Sequence, residues 1–234
     1  MRDVISDIQN SLRHAADAKT KESGTRYFKE AVKLYGVKTA TVSIIGKKHF
    51  ETVKEQTKAE IFDLCERLWQ TGYMENAFIA CQWAHNMRSS YSPDDITTFE
   101  RWLQRYVSNW AACDTLCNHT IGEFLERFPE YLRRLRRWAI SNNRWLRRAA
   151  AVSLIVPARH GKFLPDIFAI ADILLTDKDD LVQKGYGWML KAASVPHRKE
   201  VHHYVMDHKA RMPRTALRYA IEKMPAAMKK KAML

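Results

Sequence analysis

Three prolines, Pro93, Pro129 and Pro165, stand 36 residues apart, and Pro196 follows a little early. A recurrence of this length is the period of a helical repeat protein. Proline suits the first position of a helix, where the N–H it lacks would be unpaired in any case. Nine positions beyond these prolines come Trp102, Trp138, Leu174 and Val205, each large or branched and apolar. The register therefore runs from the turns into the core. Each unit reads as helix, short break, helix: Pro93 to Val107 then Asn109 to Arg127; Pro129 to Ile140 then Asn143 to Val156; Leu164 to Leu174 then Asp179 to Ala193; Arg198 to His208 then Arg214 to Lys223. An earlier unit, Thr57 to Gln70 then Met74 to Met87, fits the same plan with Trp69 in the place of Trp102.

These five helix pairs over 57–223 predict an all-α fold, an α-solenoid of HEAT-like antiparallel helix pairs with a concave basic face. Residues 1–50 are expected to cap the stack with helices over Val4 to Ala16 and Arg26 to Leu34, a linker Tyr35 to Thr39, and a short basic helix ending near Phe50. One domain over 1–228 is expected, followed by a frayed basic tail, 229–234. With only 8 Gly and 7 Pro, the chain has little material for the many turns of an all-β fold. No apolar stretch approaches the length that spans a bilayer, and the N-terminus lacks the apolar core of a secretory signal. The expectation is a monomer of the cytoplasm (the bacterial cytoplasm or nucleoid in a prokaryote), with no membrane partner. Cys65, Cys81, Cys113 and Cys117 form no CxxC pair, which predicts reduced core thiols.

Lys and Arg exceed Asp and Glu by 39 to 26, a net charge of +13, so an anionic partner is favoured. The charge is concentrated. From Tyr131 to Arg159 there are eight arginines and not one acidic residue. At 100° per residue Arg144, Arg147 and Arg148 share one helix face, opposite Trp145, Ala149 and Val152. An outward guanidinium row matches phosphate oxygens bidentately, and the absence of compensating acids sets this run apart from an ordinary solvated face.

Of the seven tryptophans, Trp69, Trp83, Trp102, Trp138 and Trp145 sit among apolar neighbours at helical spacing and read as core. Trp188 does not. It projects away from the apolar face of its helix, beside Lys184 and Lys191, with Gly185 and Gly187 leaving room for a partner to approach. Trp110 lies at the margin of an apolar stripe, with Asp114 one turn later on the same side. Two indoles, a carboxylate and a guanidinium would make a catalytic site if the helix pairs bring them together.

Tyr27 in RYFKEAVKLYGVKT, Trp110 and Asp114 in NWAACDTL, NRWLRRAA over 143–150 and QKGYGWML over 183–190 occur in the order and spacing of a known family. Over nearly its whole length the chain resembles the AlkD-type DNA alkylation repair glycosylases, which are built from HEAT-like repeats. The resemblance implies that Trp110, Asp114 and Trp188 form the catalytic cleft and that Arg148 holds the DNA backbone near the lesion. Arg147, Arg144, Tyr27, Lys38, Lys184 and Lys191 are the accompanying DNA contacts. The chain departs from the family pattern at Ala111, where an acidic residue often stands, at Lys38, where an uncharged amide occurs, and at Ala40, where many relatives carry proline.

The activity so implied is monofunctional: hydrolysis of the N-glycosidic bond of 3-methyladenine or 7-methylguanine in double-stranded DNA, with no metal, no cofactor and no lyase step. A cationic base leaves readily, so what remains is to stabilise an oxocarbenium-like sugar and deliver water, which a fixed carboxylate can do. The alternative from another class is a non-catalytic HEAT-repeat scaffold that binds nucleic acid or acidic proteins. It would keep the arginines and have no need of the Trp and Asp constellation. No GxxxxGK[ST], GxGxxG or HExxH pattern is present, and His203 with Asp207 one turn on reads as a polar outer face. An RNA reader would need recurrent polar pairs in every unit, which the repeats lack.

Overall fold

The computed structural model describes residues 3–234, and among them no β-strand forms. The helices gather into two compact units, Met1–Leu116 and Cys117–Leu234. The first contains α1 (Val4–His14), α2 (Ala18–Arg26), α3 (Thr39–Phe50), α4 (Lys58–Gln70), α5 (Met74–Asn86), α6 (Asp95–Arg105) and α7 (Trp110–Thr115). The pair α4 and α5 is its centre. Thr57 and Glu60 close a capping box at the start of α4, each side chain accepting the other's backbone N–H. On α5 the indole of Trp83 donates to the Gly46 carbonyl of α3 at 2.9 Å. Glu66 of α4 accepts from Arg101 (2.6 Å), the Trp102 indole (3.0 Å) and the Tyr106 hydroxyl (2.8 Å), which ties α4 to α6.

The helix expected over Arg26 to Leu34 does not form. Asp17 caps α2 instead, accepting from Thr20 N at 2.7 Å, so the helical turns lie upstream of Tyr27. Tyr27 and Phe28 still bond back to Gly24 and Thr25, and from Lys33 onward the backbone is committed elsewhere. Lys33 bridges to Tyr73, and Met74 N donates to Lys33 O at 3.0 Å. The buried carboxylate of Glu75 accepts from Tyr35 N (3.2 Å), Gly36 N (2.8 Å) and Val37 N (3.2 Å). Gly36 has φ +95°, and a Cβ there would lie 2.6 Å from the Asp17 carbonyl. Only glycine fits both the conformation and the space.

The second unit opens in a π-helical segment, Leu116–Ile121, and continues through α8 (Gly122–Arg127), α9 (Leu132–Ala139), α10 (Arg144–Val152), α11 (Ile155–Arg159), α12 (Leu164–Leu174), α13 (Asp180–Ala193), α14 (Arg198–His208), α15 (Arg214–Ala220) and α16 (Ala226–Met233). Two continuous helices were expected where the chain breaks. The π segment parts α7 from α8. Pro157, whose ring excludes a normal hydrogen bond to Ser153, parts α10 from α11. Helices α9 and α12 pack side by side, as do α10, α13 and α15, and the two rows pack on each other. The register positions Trp138, Leu174 and Val205 are all buried, as are Trp69, Trp83, Trp102 and Trp145.

The contact between α13 and α15 is close because Gly187 has no side chain: a Cβ there would lie 2.7 Å from Tyr219 Cβ and 2.8 Å from Ala216 O. The tail expected to fray is helical. Pro225 starts α16, Ala232 is buried, and Lys209 donates to the Lys231 carbonyl at 2.9 Å.

Glu75→Gln places an amide NH2 against backbone N–H donors and is expected to cost about 2–3 kcal/mol in urea unfolding. Gly36→Ala is expected to be at least as damaging as other strained glycine replacements, about 1 kcal/mol or more. Burial pushes the Glu66 carboxyl up, but the hydrogen bonds from Arg101, Trp102 and Tyr106 outweigh it and hold the group below its ordinary value. The stability it contributes is therefore full above the ordinary carboxylate range and lost as pH falls through the lower folded value. Glu66→Gln is expected to lose less stability than the parent chain between about pH 7 and about pH 3, by urea midpoints.

Candidate nucleic-acid interface

In the first unit the site begins at an N-cap. Asn109 accepts from Ala112 N at 2.9 Å and starts α7, so Trp110 becomes its first residue and Asp114 follows one turn later on the same side. Trp110 is half-buried, and Asp114 is only 8% exposed. A carboxylate shielded to this degree interacts with developing charge much more strongly than one in bulk water. The indole is covered by two rings at the end of α2, Tyr27 and Phe28, whose N–H groups donate to the carbonyls of Gly24 and Thr25. Phe28 stacks on Trp110 with centroids 5.3 Å apart and planes at 26°. Tyr27 tilts over it at 6.0 Å and 49°, and is itself 75% exposed. Lys38, at the other end of that segment, is exposed at the N-cap of α3, an end that no side chain caps. Its ammonium and the first-turn N–H groups of α3 together favour an anion there.

In the second unit the arginine row is not the outward array its spacing predicts. Arg148 is 5% exposed, with Nη1 donating to the Leu181 carbonyl and Cγ against the face of Gly185. Arg144 pairs with Asp179, Nη2 donating to Oδ1 at 3.0 Å and Nε lying 2.7 Å from Oδ2. Arg147 reaches Asp177 at 2.7 Å and the carbonyls of Ser141 and Asn142 at 2.9 and 3.2 Å. The compensating acids absent from the local sequence come from the loop before α13, 30 to 35 residues away. Their spacing from the arginines is close to the repeat length, which is the signal that could have revealed them. Arg133, Arg136 and Arg137 of α9 and Arg159 at the end of α11 are the exposed cations of the run, Arg136 lying 3.5 Å from Asp166.

Trp188 is half-buried on α13, with Lys184 one turn before it and Lys191 one turn after. Both lysines have acidic neighbours: Lys184 meets Asp180 at 3.2 Å, and Lys191 meets Glu222 at 2.9 Å while lying over the Tyr219 ring. The space at Gly185 and Gly187 is already taken, by Arg148 in one case and by α15 in the other, so these glycines serve helix packing rather than ligand approach. Phe28 and Glu75 went unread in the sequence. One was hidden by the expected helix, and the other was a lone acid in an apolar stretch.

Among the described residues no group of three or more His, Cys, Asp or Glu side chains is placed to hold a metal ion, and His203 and Asp207 form an exposed pair at 3.4 Å. All four cysteines are buried free thiols.

The sequence model of the family described as DNA alkylation repair enzyme matches residues 8–224. No curated protein matches the chain. Among solved structures, one described as a predicted DNA alkylation repair enzyme from Enterococcus faecalis superposes with a TM-score of 0.81 at 15% sequence identity, over 90% of this chain and 97% of that one. At this identity the likeness establishes the α-solenoid fold.

Arg147→Ala is expected to lower the urea midpoint by the equivalent of about 1 kcal/mol, as a partly buried ion pair does. Asp177→Asn should have a similar effect. In the double variant the losses should not add, which a purely DNA-facing arginine would not produce.

Proposed function

Because the chain belongs to the DNA alkylation repair enzyme family, we propose that it is a monofunctional DNA N-glycosylase acting on purines alkylated at N3 or N7. Its substrate is duplex DNA carrying 3-methyladenine or 7-methylguanine. In the reaction the C1′–N9 bond of the cationic nucleotide breaks, water adds to C1′, and the products are the free base, an abasic site and a proton. The observation that carries this reading is Asp114, a carboxylate 8% exposed and one helical turn from the half-buried, ring-covered Trp110.

Asp114 stabilises the positive charge that grows on the deoxyribose as the bond breaks, and it orients the attacking water. Alkylation has already made the base a good leaving group, so no general acid is needed at the purine. Trp110 presents a ring face to the same cationic sugar, an attraction worth about 0.5–2 kcal/mol. Trp188 is given the catalytic role that the family resemblance implies for it, and Lys184 and Lys191, one turn to either side on α13, are assigned to the DNA. Tyr27 and Lys38 are assigned to the strand from the first unit. Arg148 is the backbone contact that the family resemblance names. Its burial and its bond to the Leu181 carbonyl support a fixed orientation in place of a freely swinging cation. Arg144 and Arg147 keep their aspartates and add positive potential. No metal, cofactor or lyase step enters, and the protein acts as a cytoplasmic monomer.

Base release from N-methylated duplex DNA, read by chromatography of free 3-methyladenine and 7-methylguanine, tests the reading. Asp114→Asn is expected to lower the single-turnover rate by about 100-fold or more, the loss typical of removing a main electrostatic stabiliser. Wild-type activity in that variant would remove Asp114 from the mechanism.

A further inference from the structure

We infer that Phe28 is a positioning residue, which fixes the plane of the Trp110 indole so that its face, not its edge, meets the reacting sugar; the inference rests on the glycosylase reading. Trp110 is the first residue of α7. A side chain in that position has no preceding helical turn to pack against. Its neighbour in the chain is Ala111, too small to wedge the ring. Asn109 is occupied in capping the backbone, through its bond to Ala112 N. What holds the indole has to come from outside α7.

Phe28 supplies it. Its ring lies 5.3 Å from the indole at an interplanar angle of 26°, the near-parallel arrangement of a stacked pair. Tyr27, by contrast, meets Trp110 at 49° and Phe28 at 71°. Tyr27 is 75% exposed, whereas Phe28 is half-buried. The two adjacent rings therefore divide the work: Tyr27 is open to a ligand, and Phe28 is turned inward onto the indole. The anchor's backbone is tied to α2 by Phe28 N donating to Thr25 O at 3.4 Å, and the chain beyond it is held at the Lys33 bridge and by the Glu75 carboxylate. A ring face attracts a cation and a ring edge repels it. Fixing the plane thus matters for the rate, and it has little to do with holding the duplex.

The test separates rate from binding. In Phe28→Ala, the single-turnover rate of 7-methylguanine release is expected to fall about 10-fold, within the range that small misplacements cause. Affinity for the methylated duplex should stay within about 2-fold. Phe28→Tyr, which keeps the stack, should restore the rate. Tyr27→Ala, at the exposed ring assigned to the strand, should weaken duplex affinity. A second readout needs no catalysis. The acrylamide quenching of Trp110, taken as the difference between each protein and its Trp110→Phe counterpart, should rise in Phe28→Ala and return to the parent value in Phe28→Tyr. Phe28→Leu, which keeps an apolar side chain of similar size, stands in if the alanine variant does not fold. Full turnover and unchanged quenching in Phe28→Ala or Phe28→Leu, with Asp114→Asn inactive, would overturn the inference and leave the glycosylase reading intact. An active Asp114→Asn would overturn that reading, while the quenching comparison would still report whether Phe28 holds the indole.

Discussion

A single carboxylate organises the first unit. Three consecutive backbone N–H groups, those of Tyr35, Gly36 and Val37, lie buried where neither a helix nor a strand can satisfy them, and Glu75 accepts all three. Buried amides left unpaired are among the costliest defects a fold can carry, so the path of residues 33–37 is fixed by the position of α5. That path closes the loop after Tyr27 and Phe28, which are bonded to the end of α2, and it determines where α3 begins. An acid placed for structural reasons thus fixes the chain beyond the rings that cover Trp110, without lying beside it in the sequence.

The second unit uses charge in a comparable way. Its arginines form the densest cationic run in the chain, yet Arg144 and Arg147 are matched by Asp179 and Asp177, and Arg148 is spent largely inside the protein. Each ion pair links α10 to the loop before α13 and so locks one repeat against the next. The guanidinium is well suited to this because its planar donors satisfy a carboxylate and neighbouring carbonyls together, as Arg147 does. The remaining positive charge is presented from a rigid scaffold.

The repeat was legible because it is written in local terms. Prolines start helices by their own stereochemistry, and the large apolar residues nine positions later have to be buried whatever the neighbours are; Trp102, Trp138, Leu174 and Val205 all are. The Trp110 and Asp114 pair was legible for the same reason, since one helical turn separates them. What escaped depends on distant partners. The stretch 26–34 has a pattern compatible with a helix, but its end is claimed at Lys33 by Tyr73 and Met74, and the residues just after it by Glu75. The arginine row seemed unopposed only because its aspartates arrive a repeat later. The last residues, basic and terminal, form α16 because Lys209 and the buried Ala232 tie them down.

The four thiols have a bearing on the conditions under which such a protein works. Electrophiles that methylate purines also attack sulfur, and they do so through the thiolate. Cys65, Cys81, Cys113 and Cys117 are all enclosed in packed helices, and burial pushes the Cys65 thiol far above its ordinary value, keeping it protonated. A member of a DNA alkylation repair family whose own sulfurs are withheld in this way offers few reactive thiols to such electrophiles.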